Sequence, residues 1–248
     1  MTGYVAMGSS YAAGPGIPPL VERAALRSGL NYAHLVANDA GLRLTDVTCS
    51  GAVTANLLDT PQRGLGKRFP PQIDAIHTDT TLVTATVGGN DLGYIGAVTS
   101  AAVHARFPSL PGHVRVAAVD NAALVASTNR LVQAVQFKAP DASVLLTNYL
   151  TVVGPDIGAW SPRLPAEQVE WLRAMATAQS DAMAAVCRTT GAVFIDAAAV
   201  SIDHGLGSKD PWVTGLALGN PLTGGRVPFH PTAEGMRVVA DLILDAIR

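Results

Sequence analysis

Tyr4-Val5-Ala6-Met7-Gly8-Ser9-Ser10-Tyr11-Ala12-Ala13-Gly14-Pro15-Gly16 reads as a short buried strand that stops abruptly. Tyr4 to Met7 is apolar, Gly8 breaks the pattern, and two serines then face a Gly/Pro-rich loop. α/β folds present a nucleophile in this way, with a hydroxyl at the carboxyl end of a first strand. Small neighbours let a substrate carbonyl approach the backbone closely. A plain Gly-Ser turn would look the same, so the rest of the chain has to decide.

Later segments repeat the pattern. Arg43 to Cys49 is a predicted strand that runs into the small-residue turn Ser50-Gly51-Ala52-Val53-Thr54. Thr81 to Val87 is a β-branched strand ending in Gly88-Gly89-Asn90-Asp91. Ala142 to Leu150 and Ala192 to Asp196 read as two more strands. Between them the spacing predicts helices over Asn31 to Asp39, Val114 to Phe137 and Pro165 to Thr189, with a short one over Gln72 to His77. A last helix runs from Pro231 to Ile247. Asp59 to Pro71 reads as a surface loop, and Val200 to Pro228 as irregular chain. Strands alternating with helices imply a mostly parallel sheet covered on both faces. In such folds, sites gather at the strands' carboxyl ends, where the turns at Ser10, Gly51 and Asn90 all lie.

Composition narrows the classes. The 248 residues suit a single α/β domain spanning 1–248. With 48% hydrophobic and 15% charged residues, the chain can bury a substantial core. A net charge of −2 without a basic patch argues against nucleic acid as a partner. No apolar run reaches the roughly 18 residues of a membrane helix. No leader precedes the first strand, so the expectation is either a cytoplasmic protein or a secreted one whose leader has been removed. Cys49 and Cys187 cannot make a disulfide framework and read as buried free thiols, with a single disulfide as the lesser alternative.

Acyl transfer needs a nucleophile, a base within hydrogen-bond reach, and donors for the oxyanion. Ser10 is the candidate nucleophile. Gly51 can offer an unobstructed N–H, Asn90 a side-chain amide, and Ser10 its own N–H. His230 lies in Arg226-Val227-Pro228-Phe229-His230-Pro231-Thr232, where Pro231 holds it away from helical geometry. No metal-ligand spacing competes, and no cofactor is implied.

These elements resemble the SGNH hydrolase superfamily, the GDSL-type lipases and esterases, over almost the whole length. Gly8-Ser9-Ser10-Tyr11 resembles the first block, with Ser9 in place of the usual aspartate. Cys49-Ser50-Gly51-Ala52 resembles the glycine block, Gly88-Gly89-Asn90-Asp91 the asparagine block, and His230-Pro231 the histidine block. His204-Gly205 to Asp210-Pro211-Trp212 is similar to actinobacterial esterases and phospholipases of this group. The resemblance implies a three-layer α/β/α sandwich, flavodoxin-like, with a five-stranded parallel sheet. It implies Ser10 as nucleophile, Gly51 and Asn90 as oxyanion donors, and His230 as general base, acting on acyl esters or lipids. One departure stands out: many members carry aspartate three residues before the histidine, where this chain has Val227. The Val227 carbonyl could instead accept from Nδ1–H and set the tautomer. Alternatively, Asp203 or Asp210 could supply the acid from the preceding loop.

Other polar residues read as structural. His34, His77, His104 and His113 fit surface or packing positions, Ser9 a turn, and Asp91 a cap or brace of its own turn. His204 could line the site or brace the last loop. The loops Gly14 to Ser28, Asp91 to His113 and Val152 to Leu164 are expected to wall the pocket, with Ile17, Leu20, Tyr94, Ile95, Val98, Phe107, Leu110 and Trp160 as apolar lining. A non-catalytic carbohydrate- or lipid-binding descendant of the fold is the alternative class. A nucleotide binder is disfavoured, because the first loop lacks a phosphate-cradling G-x-G-x-x-G.

Overall fold

In β1 (Gly3–Gly8) all six residues are buried, so this strand has no polar face and must lie inside a sheet covered on both sides. Its side chains alternate between two cores. Tyr4 and Ala6 join one, and Val5 and Met7 the other. The computed structural model describes residues 3–107, 116–157, 164–216 and 219–248.

From β1 the chain makes a short helix, α1 (Ser10–Ala13), and a small antiparallel pair, β2 (Leu20–Glu22) with β3 (Arg27–Ser28). Then follow α2 (Tyr32–Ala40), β4 (Arg43–Asp46), α3 (Thr54–Leu58) and a second small pair, β5 (Gln62–Gly64) with β6 (Lys67–Phe69). β7 (Thr80–Thr86), α4 (Tyr94–Arg106), α5 (Ala122–Lys138), β8 (Ser143–Thr147), α6 (Ala166–Thr190), β9 (Val193–Ile195), α7 (Ala197–Val200) and α8 (Ala233–Ala246) complete it.

The main sheet has five strands in the order β4-β1-β7-β8-β9, all parallel. α2 and α8 cover one face, through Val36, Val239 and Ile243. Leu57 of α3, Val132 and Val135 of α5, and Met183 and Val186 of α6 cover the other. This is the α/β/α sandwich of flavodoxin-like order. From β1 the chain steps out to β4 and then back to β7 on β1's other side. The switch in strand order therefore lies beside β1, where clefts form in such sheets. The register pairs Gly8 with Thr86, so the loops carrying Ser10 and Asn90 leave the sheet side by side.

Several predicted bounds shift. The strand expected over Arg43 to Cys49 ends at Asp46, because the buried Asp46 carboxylate turns to Asn31, Thr48, Arg27 and His34. Burial works to raise the Asp46 pKa, but those partners hold it below the usual carboxylate range. The helix expected over Val114 to Phe137 begins only at Ala122, whose N–H is taken by the Asp120 carboxylate. Residues 114 and 115 lie outside the described chain. Asp59 to Pro71 is not a plain loop but contains the β5–β6 hairpin. The largest change is within Asp91 to His113, where Tyr94–Arg106 forms a helix. Tyr94, Val98, Ala101, Ala102 and Ala105 of α4 form a buried stripe at helical spacing. The last helix opens with Thr232 rather than Pro231, its hydroxyl accepting from the Gly235 N–H. Both cysteines are free and buried, and burial pushes the Cys49 thiol up to about 11.

Candidate active site

Gly8 leaves β1 at φ 140°, and a β-carbon there would stand 2.5 Å from the Thr86 carbonyl oxygen. Only glycine turns the chain at this point. The turn is locked by a distant side chain: Gln72 Oε1 accepts from Gly8 N–H at 2.7 Å, and Gln72 Nε2 donates to Gly8 O at 3.1 Å. Ser9 then points inward, its Oγ 2.7 Å from Tyr149 Oη, which fits its reading as a turn residue. Ser10 opens α1 and lines a cavity of about 640 Å³.

Ser50, Gly51, Asn90, Val227 and His230 line the same cavity. Among the described residues no partner takes the N–H of Gly51 or of Ser10. Asn90 Nδ2 donates one bond to Ala52 O at 2.9 Å, which ties the asparagine turn to the glycine turn. Its amide carries a second N–H. Asp91 strengthens that tie. It does not brace its own turn but caps α3, accepting from Thr54 N–H at 3.0 Å and from Thr54 Oγ1 at 2.6 Å. Gly89 passes so close to Tyr149 that a β-carbon would lie 2.2 Å from the ring. Gln179 donates to Val87 O at 2.8 Å and accepts from Tyr149 N–H, bracing the end of β7 as Gln72 braces the end of β1.

His230 Nε2 lies 2.8 Å from Ser10 Oγ, across 220 residues of sequence. Its Nδ1 lies 2.7 Å from the carbonyl of Pro228. Here the expectation fails. The backbone acceptor is Pro228, not Val227, whose carbonyl instead accepts from Thr214 Oγ1. The cause is the conformation of Phe229, which sits at φ 62° and turns the Pro228 carbonyl back under the ring. That strained turn is held from several directions. Tyr11 Oη donates to Phe229 O at 2.6 Å. Thr214 exchanges backbone bonds with Phe229 and His230 on the adjacent strand segment. Tyr11 in turn stacks on Tyr149 with centroids 3.7 Å apart.

A carbonyl can only accept, so the proton of the neutral ring sits on Nδ1 and the Nε2 lone pair faces Ser10. No carboxylate forms an ion pair with this ring among the described residues. Asp210 instead meets His204, whose Nδ1 lies 2.8 Å from the Asp210 carbonyl, and His204 stacks on Trp212. His204 therefore braces the last loop and is not among the residues lining the cavity. Burial of His230 lowers its pKa to about 4, and the Pro228 carbonyl offsets only part of that.

The opposite wall is α4, which presents Ile95, Gly96, Thr99, Ser100, Val103 and His104 to the cavity. These repeat at helical spacing. Pro15 and Leu26 close the other side. Of the expected apolar lining, Ile95 is in place. Tyr94, Val98 and Ile17 are core residues, and Phe107 is exposed. Leu110 and Trp160 lie outside the described residues, as does His113. His104, expected at the surface or in packing, is in the wall.

Sequence reasoning missed Gln72, Gln179, Tyr149 and Thr214, since a glutamine or threonine in an apolar stretch does not announce which backbone groups it will meet. The Tyr149 position, at the end of a predicted strand, was the one legible signal.

A family model described as the GDSL-like lipase/acylhydrolase family matches residues 6–238. Lipase 2 of Streptomyces coelicolor is 34% identical over 98% of this chain and 85% of its own length. A lipase of Streptomyces rimosus is 27% identical over 94% of this chain and 82% of its own. Among solved structures, phospholipase A1 of Streptomyces albidoflavus superposes with a TM-score of 0.76 at 22% identity, covering 99% of this chain and 98% of that one. An extracellular lipase of Streptomyces rimosus gives 0.73 at 24% identity, covering 100% and 99%. The two structures share the fold, and the sequence matches carry the kinship further: this chain belongs to the GDSL-like lipase/acylhydrolase family, within the SGNH hydrolases.

Proposed function

We propose that this carboxylic ester hydrolase works through an acyl-enzyme on Ser10, with His230 as its base and no carboxylate behind it. The observation that supports this most is the neutral imidazole held between the Pro228 carbonyl and Ser10 Oγ. Nε2 takes the Ser10 proton as Oγ attacks the ester carbonyl, and then delivers it to the departing alkoxide. Water repeats the cycle on the acyl-enzyme, releasing the acid and restoring Ser10. The N–H groups of Ser10 and Gly51, together with Asn90 Nδ2, receive the oxyanion. A carbonyl stabilises the transient imidazolium less than a carboxylate does, which accords with the low pKa of His230. Pro15, Leu26, Ile95, Val103 and Val227 give the cavity apolar contacts suited to an acyl chain. The lipase names of its relatives point to fatty acyl esters. The activity is assigned to one hydrolase domain over residues 1–248, in a protein that is either cytoplasmic or secreted. No helix among the described residues is long and apolar enough to cross a membrane.

A nitrophenyl ester assay with active-site labelling tests the reading. Ser10→Ala should lose hydrolysis and fluorophosphonate labelling while keeping its circular dichroism, and Ser9→Ala should retain most activity. Asp203→Asn and Asp210→Asn should each stay within about tenfold of the parent, roughly 1.4 kcal/mol of barrier. A loss near 10⁴ in either would mean that a carboxylate completes a triad.

A further inference from the structure

The hairpin of β5 and β6 breaks two local rules at once. Its register sets Arg63 directly opposite Arg68, and facing like charges oppose strand pairing. Its tip is Leu65-Gly66, with φ at 40° and 84°. Asn or Gly takes such a position readily, whereas leucine meets a steric penalty there. Leu65 recovers nothing by burial, since it is 64% exposed. Residues 61–69 hold Arg63, Lys67 and Arg68 and no acid, in a chain of net charge −2. Lys67 is paired with Glu22. Arg63 and Arg68 have no ion-pair partner among the described residues, and neither has the exposed Arg23 beside Glu22.

The hairpin is fixed to the rim of the cavity. Gln62 Nε2 donates to the carbonyl of Ser50, a lining residue, at 2.8 Å. Gly64 lies against the Ala24 carbonyl, where a β-carbon would be 2.3 Å from the oxygen. Gln62 and Gly64 therefore face the body of the protein. Strand alternation turns Arg63 and Arg68 to the other side. An exposed leucine at a strained tip, between unpaired arginines and tied to the cavity's edge, is not accounted for by packing. Such conflicts between local preference and structure mark functional segments.

We propose that this hairpin seats the enzyme on anionic lipid surfaces. Leu65 enters the headgroup layer, and Arg63, Arg68 and Arg23 contact its phosphates. This rests on the ester-hydrolase reading and specifies how the substrate is presented: in an aggregate with negative charge at its surface. The experiment is co-sedimentation with vesicles of phosphatidylcholine alone or mixed with phosphatidylglycerol. Binding is read on the Ser10→Ala protein as well as the parent, so it does not depend on catalysis.

The parent should bind the mixed vesicles, bind pure phosphatidylcholine far less, and release as salt rises. Arg63→Ser with Arg68→Ser should weaken partitioning more than tenfold, at roughly fivefold per cation. Leu65→Ser should weaken it severalfold. Both variants should hydrolyse a water-soluble nitrophenyl ester at the parent rate. Failure of the parent to bind mixed vesicles would overturn the proposal, as would binding indifferent to these substitutions. Equal capture by soluble heparin, with Leu65→Ser without effect, would make the surface a polyanion site and also overturn it. Any of these alongside an intact nitrophenyl esterase would leave the hydrolase reading standing.

Discussion

Gly8 and Ser9 are held by side chains far away in sequence, Gln72 and Tyr149, and the His230 N–H by Thr214, 16 residues before it. Across the cavity, Gly96, Ser100 and His104 of α4 make no side-chain hydrogen bond to another element among the described residues. The serine side is crowded and cross-braced, and several of its backbone positions admit no β-carbon. On the α4 side, a β-carbon added to Gly96 would meet no atom within 4 Å. The contrast follows from what each wall has to do. Attack by Ser10 needs reacting atoms held to a fraction of an ångström, so rigidity is built in at that end. A wall that only admits an acyl chain has to leave room, and α4 does so by carrying Gly96, Thr99 and Ser100 at positions where helix propensity alone would favour alanine or leucine.

Perturbing the crowded side should give the largest effects. Asn90→Ala should lower kcat by on the order of 10²–10³, with a smaller change in KM, because the donor acts on the transition state. The same variant also loses the Asn90–Ala52 tie, so its melting temperature should be measured alongside. An unchanged kcat would remove Asn90 from the oxyanion site.

The pH profile probes the same wall. His230 must be neutral to accept a proton, and burial lowers its pKa to about 4. The acid limb of kcat/KM should therefore fall near pH 4, with activity lost as pH drops through that value. An imidazole titrating at its ordinary value of about 6.5 would already be depleted in the neutral form roughly thirtyfold at pH 5. A limb near 6.5 would show that the ring is better solvated, or better paired, than its position between Pro228 and Ser10 implies.

Gln72→Ala tests the bracing. It leaves the N–H of Gly8 buried without a partner, at roughly 1–3 kcal/mol, while the Gly8 carbonyl keeps the Cys49 N–H. Urea denaturation should show a loss of that order. Activity at temperatures well below the transition should fall too, since the turn that aims Ser10 would loosen.

The smallest effect should come from the open wall. Gly96→Ala should raise stability by roughly 0.5–1 kcal/mol, the usual gain in a helix interior, with hydrolysis of short esters unchanged. Gly96→Phe should leave the acetyl ester rate intact while cutting the rate on long-chain esters. An equal fall on both would mean that α4 is as tightly coupled to the chemistry as the serine side.

Much of this was legible without coordinates. The β-branched run from Thr81 and the apolar run from Tyr4 announce buried strands, because a strand covered on both faces can tolerate little else. The abrupt small-residue turns after β1 and β7, and that at Gly51 beyond β4, place Ser10, Gly51 and Asn90 at one edge of a parallel sheet. α4 was also within reach: Tyr94, Val98, Ala101, Ala102 and Ala105 repeat at helical spacing, yet the glycines and the polar face between them read as a loop.

By itself, then, the sequence determined the sheet, its strand-end turns and the residues that gather there, since these follow from local pattern and the chirality of βαβ connections. Which carbonyl meets His230 Nδ1 was decided only in three dimensions. Val227 and Pro228 are neighbours and either could serve. The choice depends on Phe229 adopting φ 62°, and that conformation is held by Tyr11, 218 residues away. Gln72 and Gln179 likewise acquire their roles only when strands 64 and 92 residues distant deliver unpaired backbone groups to them. Periodicity records what each segment buries, but it does not record which distant polar group will need a partner.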